Sequence, residues 1–177
     1  MGPDREIGLR PATLDDVELL MLWSSSPRYT GEFNDFGLAR GRPYHELITK
    51  NELIGPQGGT LMVERIAGSE AIGTVSWRQV RHGPTPESAA WNIGISLIPE
   101  MRGLGFGSIS QRLLADYLFA TTAVNRIEAG TDVDNLAEQR ALEKAGFTRE
   151  GVLRGAQYRA GAWHDLAIYS VVRDADK

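Results

Sequence analysis

Pro99-Glu100-Met101-Arg102-Gly103-Leu104-Gly105-Phe106-Gly107-Ser108 is the stretch that decides how this chain folds. Before it, Trp91, Ile93, Ile95 and Leu97 alternate with Asn92, Gly94 and Ser96, the period of two that marks a strand. After it, Ile109, Leu113, Leu114, Tyr117 and Leu118 recur at helical spacing. A glycine-rich turn between strand and helix leaves backbone N–H groups facing outward at the positive end of the helix dipole. Such a turn is an anion site, above all for phosphate, so the chain is expected to bind a phosphorylated cofactor.

Two phosphate loops can be set against these letters. A nucleoside-triphosphate loop ends Gly-Lys-Ser/Thr, whereas this one ends Gly107-Ser108-Ile109. The dinucleotide fingerprint fits better, with Ser108 in place of its third glycine and Glu128 at about the right distance to meet a ribose. Against it, the loop lies past mid-chain, with too little sequence beyond for a second mononucleotide half. A dinucleotide-binding oxidoreductase therefore stays a rival reading.

The rest of the chain interleaves helices with strands. Ile7 to Arg10 reads as a first strand, and Thr13 with Asp16 as an N-cap pair before a helix striped by Val17, Leu20, Met21 and Trp23. Arg28 to Arg42 reads as a loop rich in glycine, aspartate and aromatics. A second helix starts at Pro43, runs through Tyr44, Leu47 and Ile48, and is stopped by Gly55-Pro56. Thr60 to Ile66 and Ala71 to Val80 form a hairpin around Gly68-Ser69, and His82 to Ser88 is a polar connection. Beyond the loop come a strand at Val124 to Thr131, a helix near Asn135 to Ala145, and strands around Leu153–Tyr158 and Trp163–Val171. The expected fold class is α/β (α+β), with a mixed central sheet of about six to seven strands flanked by helices.

Composition narrows the function. A chain of 177 residues, 42% hydrophobic, is expected to form one domain over residues 1–177 with a sizeable core. Nineteen basic and 23 acidic residues give a net charge of −4 without a basic run, so neither nucleic acid nor an anionic membrane is an expected partner. Met1 to Glu6 does not read as a secretion signal and no apolar run is long enough to span a bilayer, which points to a cytoplasmic protein. The absence of cysteine removes disulfides, thiolate metal sites and an acyl-cysteine intermediate together, and no metal site is expected.

Two blocks carry a family resemblance. Arg102-Gly103-Leu104-Gly105-Phe106-Gly107 matches the Arg/Gln-x-x-Gly-x-Gly/Ala loop of the GNAT acyltransferase superfamily, and Asn135 through Gly146-Phe147 resembles the Asn…Gly-Phe helix of the same enzymes. Glu150 to Arg154, then Arg159, Gly161, Trp163, Asp165 and Tyr169, look most like the ribosomal-protein N-terminal acetyltransferase branch. The resemblance covers nearly the whole chain, strongly from about Trp91 onward. It implies a single GNAT-like domain with acceptor-side helices about 14–54 and a cofactor-binding core about 89–147. It implies acetyl-CoA, or another short acyl-CoA, as co-substrate, held by Arg102, Gly103, Leu104, Gly105, Phe106, Gly107 and Ser108. The strand edge near Leu97 would pair with the pantetheine arm, and Asn135 would contact the cofactor from the side.

The proton-handling positions depart from the family pattern. The strand glutamate of many members matches Asn92, and the helix tyrosine matches Leu142. Where the ribosomal-protein branch often has serine, this chain has Glu138, and where it sometimes has glutamate, Gln157. Asn92 can orient a water or the acceptor but has no useful pKa. Glu138 is the titratable candidate, yet Asn135-x-x-Glu138 also reads as a helix-capping pair. A site without an obvious base suits an acceptor amine of low basicity: a peptide α-amine at about 7.7–8.0, or a small-molecule amine, rather than a lysine at about 10.4. Trp23, Tyr29, Phe33 and Phe36, with Glu32 and Asp35, are candidate acceptor-side groups. The expected reaction is direct N-acyl transfer in a ternary complex. A catalytically weak CoA-binding module is its alternative, and the oligomeric state stays open, a dimer included.

Overall fold

Eight strands form one sheet because most of the apolar alternation in this chain has period two. A computed structural model describes residues 6–37 and 41–173. The strands are β1 (Ile7–Arg10), β2 (Ile54–Gly55), β3 (Gly58–Arg65), β4 (Glu70–Arg81), β5 (Ala89–Leu97), β6 (Arg126–Asp132), β7 (Thr148–Arg159) and β8 (Ala162–Val172). The order is β1-β3-β4-β5-β6-β8-β7, with the two-residue β2 paired to β3. All these pairings are antiparallel except β5 with β6. A nearly all-antiparallel sheet does not suit the dinucleotide fold, which is built from parallel βαβ units.

The helices are α1 (Val17–Ser25), α2 (Pro27–Thr30), α3 (Tyr44–Thr49), α4 (Phe106–Thr121) and α5 (Leu136–Lys144). The main core gathers alternate residues of the central strands, among them Val75, Trp91, Ile93 and Ile127, beneath Leu114 and Leu118 of α4 and Leu142 of α5. Buried Tyr169 of β8 fixes α5 from below, its hydroxyl donating to Glu143 Oε1 (3.2 Å) and Gln139 Oε1 (3.3 Å). A smaller core of Leu20, Tyr44, Leu53 and Met62 lies on the opposite face, where α1 and α3 pack.

Three expectations are corrected. Met21 is exposed, and the buried residue of α1 is Leu20. The second helix ends at Thr49 rather than near Gly55, because Asn51 turns to φ +56° and leads Leu53 into the smaller core. The segment expected as an open loop carries α2 and a 3₁₀ turn at Glu32–Asn34. Leu38 to Arg40 of that loop, and the N-terminal reading over residues 1–5, fall outside the described residues. No described helix is long and apolar enough to cross a membrane.

Candidate active site

β5 and β6 pair over two positions only, Trp91 with Ile127 and Asn92 with Glu128, and then splay apart. The gap is a cleft of about 690 Å³, with Ile93 to Leu97 on one wall and Ala129 to Asp132 on the other. That volume suits a cofactor-sized ligand. The free strand edge leading to Leu97 leaves backbone groups available to a ligand's amides, as a splayed pair must.

The glycine loop closes one end of the cleft. Gly105 takes φ +88° as the residue before α4, a left-handed conformation that costs a side-chain-bearing residue about 1–2 kcal/mol. Among the described residues, the amides of Gly103 to Ser108 meet no backbone carbonyl outside the helix, and Ile109 N reaches Gly105 O at a long 3.4 Å. A Cβ on Gly103 or Gly105 would meet nothing within 4 Å, so open space lies against these amides. Ser108 Oγ donates to Gly105 O (2.9 Å) and braces the turn. Free donors, a helix dipole and open space together suit a diphosphate.

Gly103, Gly105, Gly107, Ser108, Arg102, Leu97 and Asn135 all line the cleft. Leu104 and Phe106 do not: Leu104 is 62% exposed, and the Phe106 side chain is buried in the main core. The exposed Arg102 guanidinium donates to two backbone carbonyls, Leu97 O (2.9 Å) and Tyr29 O. Further cationic side chains at the rim come from exposed Arg140 and Lys144 of α5, which the sequence reading missed. Their signal was present: Ala137, Arg140, Ala141 and Lys144 follow the i, i+3, i+4, i+7 spacing of one helix face.

Asn92 is not among the cleft residues; its Oδ1 accepts a long hydrogen bond from Arg78 Nε (3.3 Å). Strand alternation puts it on the sheet face away from α4, where the splay has not yet begun. Glu138 does line the cleft. Asn135 Oδ1 caps α5 by accepting from Glu138 N (3.2 Å), but Asn135 N donates to Asp132 O (3.0 Å), so the carboxyl of Glu138 has no capping amide to accept. The expected reciprocal cap is therefore half formed, and the carboxyl is left to the cleft. Burial pushes Glu138 up to about 7. The Gln111 amide pulls the other way, by less than burial pushes.

The far end of the cleft is formed by Glu32, Phe33 and Asn34 together with Asp132 and Gln157. Of the other candidate acceptor groups, Trp23 packs on the smaller core and Phe36 is exposed. Asp35 Oδ1 accepts from Gly37 N within its own turn (3.1 Å).

A splayed parallel pair with an amide-lined loop at its mouth defines an acyl-CoA-dependent N-acetyltransferase, and comparison with known proteins gives the same class. Residues 6–148 match the acetyltransferase (GNAT) domain, and the chain belongs to that family. The probable N-acetyltransferase YjcK of Bacillus subtilis is 36% identical over 98% of this chain and 90% of its own length. The uncharacterized N-acetyltransferase YoaA of the same organism is 35% identical over 63% of this chain, a match that spans 60% of YoaA. Among solved structures, the RimL ribosomal L7/L12 α-N-protein acetyltransferase in complex with coenzyme A superposes with a TM-score of 0.78. It covers 97% of this chain and 96% of its own, at 23% identity, so it speaks for the fold. Acetyl-CoA is the co-substrate of this class.

Proposed function

We propose that this enzyme acetylates amines of low basicity, with peptide N-terminal α-amines first among them, by direct transfer within a ternary complex. The observation that carries the reading is Glu138: the one cleft carboxyl raised to about 7, set beside a loop of free amides. Bound acetyl-CoA supplies the thioester carbon; the neutral amine nitrogen forms a bond to it, the C–S bond breaks, the thiolate leaves needing a proton, and the proton that the nitrogen sheds as the amide forms restores the Glu138 carboxyl. The loop amides of Gly103 to Ser108 hold the diphosphate, the strand edge ending at Leu97 aligns the pantetheine arm, and Asn135 flanks it. A thiol of the leaving group's kind titrates near 8.5, so a carboxyl near 7 is well matched to donate that proton from Glu138.

With its carboxyl spent on the leaving group, Glu138 is not free to deprotonate the incoming amine. The acceptor must then arrive neutral. At pH 7 about a tenth of a peptide α-amine is neutral, against about one in two thousand lysine side chains. The α-amine acceptor named for the RimL neighbour agrees with that choice. A small cationic amine is the second reading, favoured by the Glu32 carboxylate at the far end of the cleft. Residues about 14–54 would serve the acceptor and about 89–147 the cofactor. Free-thiol release measured over a panel of unblocked peptides, N-acetylated lysine peptides and small amines tests the proposal. Unblocked peptides should turn over fastest; a preference for blocked lysine peptides would overturn it.

A further inference from the structure

The segment Pro27–Asn34 crosses the cleft from the cofactor loop to the far strands. Near the loop it is tied twice: Arg28 pairs with Glu100, and Arg102 donates to Tyr29 O. Gly31 follows at φ +72°, with Arg102 Nη1 3.2 Å from where its Cβ would stand, so the chain passes close over that guanidinium. At the other end it reaches Arg159 of β7. The Arg159 guanidinium lies 5.4 Å from the Phe33 ring centroid, and Nη1 reaches Phe33 O at a long 3.4 Å.

Arg159 is an unusual anchor because it is 5% exposed while its partner Asp132 is 3% exposed. Nη2 meets Asp132 Oδ2 at 2.5 Å, and Nη1 donates to Gln157 Oε1 (2.8 Å), a cleft residue. His164 completes the cluster: Nδ1 stands 3.0 Å from Asp132 Oδ2, and Nε2 faces Arg159 O at 3.2 Å. Burial acts to raise the Asp132 carboxyl, but the Asp134 amide, Arg159 and His164 together hold it below the ordinary range. A buried pair of this kind costs much desolvation and adds little net stability, so its value lies in the geometry it fixes. What it fixes is one rigid fork touching β6, β7 and the cleft-lining Phe33 at once.

We propose that Arg159, held by Asp132 and His164, is the positioning residue that sets Glu32, Phe33 and Asn34 against the far end of the cleft and thereby sets affinity for the amine. The proposal rests on the reading that this end receives the acceptor. Arg159 acts through Phe33 and Gln157, so the acyl-transfer step itself should be nearly indifferent to it.

Arg159→Lys keeps the charge beside Asp132 but loses the fork that reaches Phe33. Losing contacts of this size should raise KM for the amine about five- to tenfold, while kcat and KM for acetyl-CoA stay within about twofold. Hydrogen exchange of amides 31–37 should quicken in the same variant, with α4 and α5 unchanged. The paired change Asp132→Asn with Arg159→Gln, which removes both charges of the buried ion pair, should reproduce both effects. Unchanged exchange over 31–37 in both variants overturns the proposal, as does a fall in kcat at constant amine KM. Exchange is read without any acetylation, so it decides the anchor even if the acceptor reading fails in the amine panel.

Discussion

Asn135 Oδ1 accepts the backbone N–H of Glu138 at 3.2 Å, and Glu138 returns nothing, because Asn135 N is already engaged by Asp132 O. This one-sided cap leaves the Glu138 carboxyl to the cleft rather than to the helix terminus. A reciprocal cap would have stabilised the ionised carboxylate on an amide and lowered its pKa. Left in a partly enclosed cleft, the group rises to about 7 instead.

Glu138→Gln should therefore lower kcat by about 10²–10⁴-fold, the range for loss of a general acid, with acetyl-CoA affinity unchanged. Steady-state kinetics beside calorimetric titration with CoA check this. Near-normal kcat in a folded variant would return Glu138 to a purely structural role.

The same variant has a stability signature. The Glu138 carboxyl sits near 7 when folded against an ordinary 4.5, so between these values the native state binds more protons than the unfolded state. Stability from the neutral carboxyl is full below about 4.5 and is lost as pH rises through 7. Gln stays neutral throughout. Glu138→Gln should match the parent at pH 4.5 and exceed it by about 1–3 kcal/mol at pH 8, after allowance for the half-open site. Urea denaturation at the two pH values measures the difference, and equal gaps at both would contradict the assigned shift.

The glycine loop was legible because its letters specify backbone. Gly105 at φ +88° and the helix beginning at Phe106 follow from local chemistry, as do the β3–β4 hairpin and the α5 cap at Asn135. The far end of the cleft was not legible. Asp132, Arg159 and Phe33 are distant in sequence and meet only through the strand order β6-β8-β7, which no local pattern encodes. Asn92 shows the opposite failure. The resemblance matched it to a family glutamate, but the strands splay one step later and its side chain does not line the cleft.

Asn92→Ala should accordingly leave kcat and both KM values within about twofold. Its long hydrogen bond with Arg78 lies away from the cleft, and exposed polar substitutions of this kind typically change stability by no more than about 0.5 kcal/mol. A hundredfold loss of kcat would place it in the reaction after all.

Gly105 gives a graded pair. Gly105→Ala bears the cost of the left-handed φ, about 1–2 kcal/mol, with open space around its methyl. Gly105→Glu adds a negative charge facing the diphosphate. Since hydrogen bonds to charged groups contribute about 1.5–3 kcal/mol each, disturbing two amides should weaken CoA about a hundredfold or more in the Glu variant. Isothermal titration of folded variants reads this directly, and parent-like CoA affinity in Gly105→Glu would remove the loop from the binding site.

Kinetic order and acceptor ionisation can be tested together. The chain has no cysteine, and direct transfer predicts initial-rate lines that intersect rather than run parallel. Committed to the leaving thiolate, Glu138 is not free to deprotonate the incoming amine. The kcat/KM for the amine should then rise with pH along the acceptor's own titration. Two peptides whose α-amines differ in basicity should give profiles displaced by that difference. A single profile, fixed near 7 whatever the amine, would mean that Glu138 takes the proton from the acceptor before the thiolate leaves, reversing the order of proton transfers argued from its position.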